Sequence, residues 1–211
     1  MNDKQKILEY LKIRKIENCI HFTNVKNLPS IFREGILSRE DMDIWDMAYE
    51  KNDVWRWDNL ENAISVSVSC ANYKMFYKLR QEKRSENWAV LVLDAYKVLQ
   101  LDCAFCYTNA ANNLVSSTSL EERKSFEAFK EMFSENVNGN NRCDLNLYDN
   151  ETTDPQAEIL VFDSIPKEAI EFVFFENQIA MEEYSEVIAE SNALCACDRA
   201  YFFPRRDYSF W

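Results

Sequence analysis

The stretch Ile20-His21-Phe22-Thr23-Asn24-Val25-Lys26-Asn27-Leu28-Pro29-Ser30-Ile31-Phe32-Arg33-Glu34-Gly35 decides how this chain folds. Ile20, Phe22 and Val25, set among polar residues, predict a short strand. Pro29 suits the first turn of a helix and Gly35 the left-handed stop, so a turn and a helix of under two turns follow the strand. Upstream, Ile7, Leu8, Leu11 and Ile16 form one apolar stripe across residues 3–16, which reads as a packing helix.

Downstream, Ile64, Val66 and Val68 alternate with Ser65, Ser67 and Ser69, the period of a strand whose serine face can line a cleft. Residues 72–79 read as a helix, and Trp-Ala-Val-Leu-Val-Leu at 88–93 as a central strand, apolar on both faces. Phe126, Phe129 and Phe133 lie at helical spacing within 120–133, and Ser119 with Glu122 forms a capping-box pattern. Further strands are expected at 159–162, 170–175 and 201–203, with a helix near 181–190. Residues 136–154 read as an Asn/Asp-rich loop. The segment 40–62, with Trp45, Trp55 and Trp57 and no clean periodicity, reads as a functional loop that packs on something. Strands and helices are segregated more than alternated, which gives a mixed α+β class, and nothing divides residues 1–211 into two domains.

Composition narrows the function. Of 211 residues, 47% are hydrophobic and 14% aromatic, so the chain folds and buries a core. With 2 glycines and 1 histidine it has neither a glycine-rich phosphate loop nor a histidine-rich metal centre. Lys+Arg 24 against Asp+Glu 36 leaves a net charge of -12, which repels nucleic acid at long range. A groove made locally basic by Lys74, Lys78, Arg80 and Arg84 would offset that repulsion. The 7 cysteines, with no signal-like start to the sequence, read as free thiols in a reducing cytoplasm, and no apolar run reaches the roughly 20 residues that span a bilayer.

Few residues can carry chemistry. His21 shares a strand face with Thr23, and the pair either serves packing or offers hydrogen bonds to a ligand. Glu158, in Asp154-Pro155-Gln156-Ala157-Glu158-Ile159-Leu160-Val161-Phe162, is either a solvated strand-end charge or a carboxylate at a cleft edge, with Gln156 on the same face to orient it. Cys103-x-x-Cys106 and Cys195-x-Cys197 can supply four thiolates to zinc, or be small buried hydrophobes. Tyr73, Phe76, Tyr77 and Tyr107 either stack on a ring or belong to the core. Lys78, Arg80, Lys83 and Arg84 form a solvated helix end or a phosphate contact.

Several of these runs together resemble the DarT-type DNA ADP-ribosyltransferase toxins over most of the chain. The resemblance rests on His21-Phe22-Thr23 with Asn27-Leu28-Pro29-Ser30-Ile31, Gly35-Ile36-Leu37-Ser38-Arg39, Asn62-Ala63-Ile64-Ser65-Val66-Ser67 and Asn72-Tyr73-Lys74-Met75-Phe76-Tyr77. It continues in Asp102-Cys103-Ala104-Phe105-Cys106-Tyr107-Thr108-Asn109-Ala110 and in Asp154-Pro155-Gln156-Ala157-Glu158 with Ile165-Pro166. Within the family the chain is more similar to the guanine-modifying branch than to the thymine-modifying one.

The resemblance implies an ADP-ribosyltransferase-like fold, a split central β-sheet with flanking helices whose cleft binds NAD+ without a glycine-rich loop. It implies Glu158 as catalytic glutamate, His21 and Thr23 on the strand that meets nicotinamide and ribose, and Asn27 near the ribose. Gly35, Leu37, Tyr73 and Tyr77 complete the expected NAD+ set. Arg56 is expected at the pyrophosphate, with Arg39 as its competitor. NAD+ is then a substrate, no metal is needed, and ADP-ribose goes to a base of single-stranded DNA. RNA modified by the same chemistry, or an inert binding module of the same fold, are the alternatives. The implied partner is a neutralising antitoxin, an ADP-ribosyl hydrolase, with no membrane involved.

Overall fold

The computed structural model describes residues 1–45, 49, 50 and 60–211. Its first half contains α1 (Asp3–Arg14), β1 (Asn18–Asn24), α2 (Leu28–Glu34), α3 (Arg39–Ile44), β2 (Ile64–Val68), α4 (Tyr73–Glu82), β3 (Trp88–Asp94), α5 (Ala95–Val98) and β4 (Cys103–Cys106). Then come the short helices α6 (Asn113–Ser116), α7 (Leu120–Arg123) and α8 (Phe126–Glu131) and a two-residue hairpin, β5 (Asn136–Val137) with β6 (Asn140–Asn141). The chain closes with β7 (Glu158–Val161), β8 (Ile170–Phe175), α9 (Gln178–Ala189) and β9 (Leu194–Cys197).

Seven strands form one sheet in the order β4-β7-β2-β1-β3-β8-β9, antiparallel at every junction except β8-β9. The parallel junction follows from α9, which supplies the crossover that parallel neighbours require. β3 is buried from Trp88 to Leu93 because both faces are covered. Ala89, Leu91 and Leu93 enter the main core beneath α1, α2, α8 and α9, while Trp88, Val90 and Val92 pack against Phe76, Leu79 and Phe202.

The sheet is nearly divided between β1 and β2. β1 pairs with β3 at seven positions, Asn18 to Asn24, but with β2 only through Cys19↔Val68 and Ile20↔Ser67. β2 instead pairs with β7 at Ile64, Ser65 and Val66. Beyond Ile20 the two halves of the sheet part, and the candidate site lies in that gap.

Several details of the sequence reading change, the first being that the segment expected as a loop over 40–62 begins inside α3, which the Ser38 side chain caps. The helix expected over 120–133 is two, because Ser119 and Ser125 each cap a separate start; the Ser119/Glu122 capping box is present. Residues 199–202 form a 3-10 turn in place of the expected strand, and the edge strand is Leu194–Cys197. Gly35 ends α2 as expected but at φ 88 and ψ -176, an extended conformation open essentially to glycine alone, not the left-handed helical one. The reason is proximity: Ile36 exchanges backbone hydrogen bonds with Ile165 at 2.8 and 2.9 Å, and a Cβ on Gly35 would sit 2.5 Å from the Ile165 carbonyl oxygen.

Gly35→Ala is expected to destabilise the fold by about 1–3 kcal/mol from backbone strain alone, with the carbonyl clash adding to it. Urea denaturation checks this, and an unchanged midpoint would refute the account.

Candidate functional site

A cavity occupies the gap between β1 and β2. Its polar lining includes His21, Thr23, Asn27, Ser30, Ser65 and Ser67, its apolar lining Ile36, Leu37, Met42 and Met75, and Gly35 and Arg39 also face it. β1 delivers His21 and Thr23, the turn into α2 delivers Asn27, and β2 presents the serines of its alternating pattern.

Ser65 joins the two sides. Its backbone carbonyl accepts a hydrogen bond from His21 Nδ1 at 3.0 Å. Its hydroxyl donates to Glu158 Oε2, and the other carboxylate oxygen, Oε1, accepts the Ala110 backbone N–H at 2.7 Å. Glu158 is 8% exposed at the first position of β7, so both oxygens are held and the carboxylate is aimed from a rigid strand. It is no solvated strand-end charge.

A carbonyl can only accept, so the Nδ1 of His21 carries the proton and Nε2 is left as an acceptor. Burial lowers the pKa of His21 below its ordinary value of 6.5, outweighing the hydrogen bond to Ser65, so the ring is neutral at pH 7. Thr23 is 1% exposed, and its hydroxyl accepts from Asn27 Nδ2 at 3.0 Å. The Asn27 amide also ties down Glu50, donating to its carbonyl at 3.0 Å and accepting its N–H at 2.8 Å.

Residues 20–202 match the family described as DarT, ssDNA thymidine ADP-ribosyltransferase. The chain belongs to the DarT family. Among solved structures, Thermus sp. 2.9 DarT in complex with ADP-ribosylated ssDNA aligns at a TM-score of 0.60 and 15% identity, over 90% of this chain and 97% of that one. The same Thermus DarT in complex with NAD+ aligns at 0.55 and 16%, over 89% and 98%. Thermosipho africanus DarTG in complex with ADP-ribose aligns at 0.59 and 14%; the match covers 89% of this chain and 51% of the Thermosipho chain, about half its length. At such identities the likeness is one of fold, the DarT arrangement of a largely antiparallel central sheet with flanking helices. No curated protein matches by sequence.

Against this DarT frame, His21, Thr23, Asn27, Gly35 and Leu37 line the cavity, and Glu158 adjoins it through Ser65. Arg39 lines it too, whereas Arg56, Trp55 and Trp57 lie outside the described residues. Tyr73 and Tyr77 are not among the lining residues. Tyr77 is 62% exposed, and the buried hydroxyl of Tyr73 feels Asp207, Arg205 and Asp154, with burial first and then Asp207 raising its pKa to about 12. Gln156 is not on the strand with Glu158, because β7 starts at Glu158 itself.

Arg80 is not available to a basic groove: it pairs with Glu176, donates to the Phe202 carbonyl at 2.9 Å and lies over the Phe76 and Phe202 rings. The two cysteine pairs sit on β4 and β9, opposite edges of the sheet, so they do not combine into one four-thiolate site. Burial pushes the Cys103 thiol up to about 12. The Ala110 N–H was not legible in the sequence, since a backbone donor carries no residue signature; only its place in the Asp102–Ala110 run marked the region.

Because His21 has a lowered pKa when folded, its contribution to stability is full above pH 6.5 and is lost as the pH falls from there through the depressed folded value. The stability difference between wild type and His21→Gln is expected to shrink from pH 7.5 to pH 5. Denaturation at several pH values measures it, and a difference independent of pH would contradict a neutral imidazole with a depressed pKa.

Proposed function

We propose that this DarT family member transfers ADP-ribose from NAD+ to a base of single-stranded DNA in the cavity between β1 and β2, with Glu158 as the catalytic carboxylate. The observation that carries this reading is Ser65, which lines the cavity, engages His21 through its carbonyl and holds Glu158 behind the lining through its hydroxyl. The lining suits NAD+ as substrate: apolar Ile36, Leu37, Met42 and Met75 suit the nicotinamide ring, and His21, Thr23 and the serines suit ribose hydroxyls.

In the reaction the bond between the nicotinamide nitrogen and ribose C1′ breaks, nicotinamide leaves as a neutral molecule and positive charge builds on the ribose ring. Glu158, held through one oxygen by Ser65 and through the other by Ala110, accepts a ribose hydroxyl, and that hydrogen bond strengthens as the ring becomes cationic. His21 Nε2 accepts a second ribose hydroxyl. A nitrogen of the base then bonds to C1′, and the proton it sheds passes to Glu158. Since a duplex hides those atoms, single-stranded DNA is the substrate form. The pyrophosphate is held by an arginine of the 39–56 region, Arg56 or the cavity-lining Arg39. The resemblance to the guanine-modifying branch makes guanine the acceptor, in place of the thymidine of the family description. A neutralising antitoxin that hydrolyses the ADP-ribose adduct, a cytoplasmic setting and a part in phage defence complete the proposal. Among the described residues, no helix is long and apolar enough to cross a membrane.

Purified protein with labelled NAD+ is expected to label single-stranded DNA, but not duplex DNA. Glu158→Gln should lose about 100-fold or more in turnover and Ser65→Ala about tenfold. Label confined to RNA would move the substrate, and full activity in Glu158→Gln would overturn the assignment.

The acceptor base is read with two oligonucleotides of equal length, one containing guanine without thymine and the other thymine without guanine. Label is expected on the first; label on the second alone would assign the thymidine of the family description.

A further inference from the structure

Outside the cavity, three arginines grip the segment that leads into Glu158. Residues Glu151, Thr152, Thr153 and Asp154 form a wholly polar run, yet they are only 4%, 3%, 0% and 0% exposed. Arg205 donates Nη1 to the Thr152 carbonyl at 2.8 Å and Nη2 to the Thr153 carbonyl at 3.2 Å. The same guanidinium clasps both oxygens of Asp207 at 2.7 Å, in a pair whose side chains are 3% and 0% exposed. Trp211 Nε1 donates to Asp207 as well, at 2.9 Å. Arg206 pairs with Glu151, donates to the Asn146 carbonyl at 2.9 Å and lies 3.8 Å from the Tyr148 ring centroid. From the opposite side, Arg142 donates to the Thr153 hydroxyl at 3.1 Å, which in turn donates to the Ser134 carbonyl at 2.6 Å.

Burying such a pair costs desolvation that its attraction repays only in part, so stability alone is a poor reason to place it there. Geometry is a better one. A guanidinium is a rigid planar fork, and here it fixes two successive carbonyls and one carboxylate at once. Past Thr153 only the tight turn 154–157 intervenes before Glu158. That turn is locked by Asp154, whose carbonyl accepts the Ala157 N–H at 3.1 Å and whose side chain accepts from Gln156 N–H at 2.8 Å and Asn138 at 3.2 Å.

We propose that Arg205, braced by Asp207, is a positioning residue for Glu158: it anchors the 152–153 backbone so that the turn delivers the carboxylate to Ser65 and Ala110. Neither residue of the pair lines the cavity, so NAD+ binding is not built on it. The inference rests on Glu158 being the catalytic carboxylate.

Its test compares wild type, Arg205→Ala, Arg205→Lys and Asp207→Asn in the transfer assay, beside amide hydrogen exchange over residues 151–159. Arg205→Ala and Asp207→Asn are expected to lower kcat about tenfold or more with KM for NAD+ within about twofold, and to speed exchange at 151–159. Arg205→Lys keeps the charge but not the fork and should recover only part of kcat. Unchanged kcat with unchanged exchange would overturn the proposal, as would a rise in KM that accounts for the whole loss. If Arg205→Ala does not fold, Asp207→Asn decides alone, and unfolding of both would reduce the pair to a folding element. An inactive wild type would count against the transferase reading, while faster local exchange in the folded variants would still support the anchor.

Discussion

Everything at the site follows from two strands that stop pairing. β1 and β2 share two register positions and then separate, and on the β2 side of the gap the Ser65 carbonyl faces the His21 side chain. Buried carbonyls need partners, and His21 supplies one through its side chain. The same interruption opens the cavity, fixes the tautomer of the imidazole and turns the serine face of β2 toward Glu158. The parting is stable because each half of the sheet is secured elsewhere, β1 by its seven-position pairing with β3 and β2 by β7.

The legibility of the sequence tracked the range of the interactions. β2, β3, β7 and β8 stand where alternation or continuous apolar runs placed them, because side-chain periodicity reports burial directly. The serine face of β2 also pointed correctly to a cleft. What the sequence hid was set by contacts far apart along the chain. The conformation of Gly35 depends on Ile165, the caps that break 120–133 into two helices compete with its phenylalanine spacing, and Tyr73 turns toward Asp207 and Arg205 although it follows a cavity residue, Asn72. His21 and Glu158 became more than ambiguous polar residues through the ordered set of motifs, not through their own neighbours. Residues 136–154 read only as an Asn/Asp-rich loop, yet the last four, Glu151 to Asp154, are buried polar residues.

The charge balance also has a structural explanation. Several arginines that a sequence count would assign to nucleic acid are spent inside the fold: Arg80 on Glu176 and two aromatic rings, Arg142 on a hydroxyl and backbone carbonyls, Arg205 on Asp207 and two carbonyls, Arg206 on Glu151. Their role is to satisfy buried acceptors. The nucleic-acid contact proposed above therefore rests less on bulk charge than on the shape of the cavity, which Arg39 lines.

The holders of Glu158 are widely spaced along the chain. Ser65 is 93 residues before it, Ala110 48 residues before it, and Arg205 reaches back 53 residues to Thr152. Contacts of such separation close late, after local helices and hairpins have formed. A chain emerging from the ribosome with its amino end first therefore displays the cavity lining long before its carboxylate is secured. Of the residues that hold Glu158 and its approach, 205–207 are synthesised last, so the full anchorage of the carboxylate forms only after they have emerged.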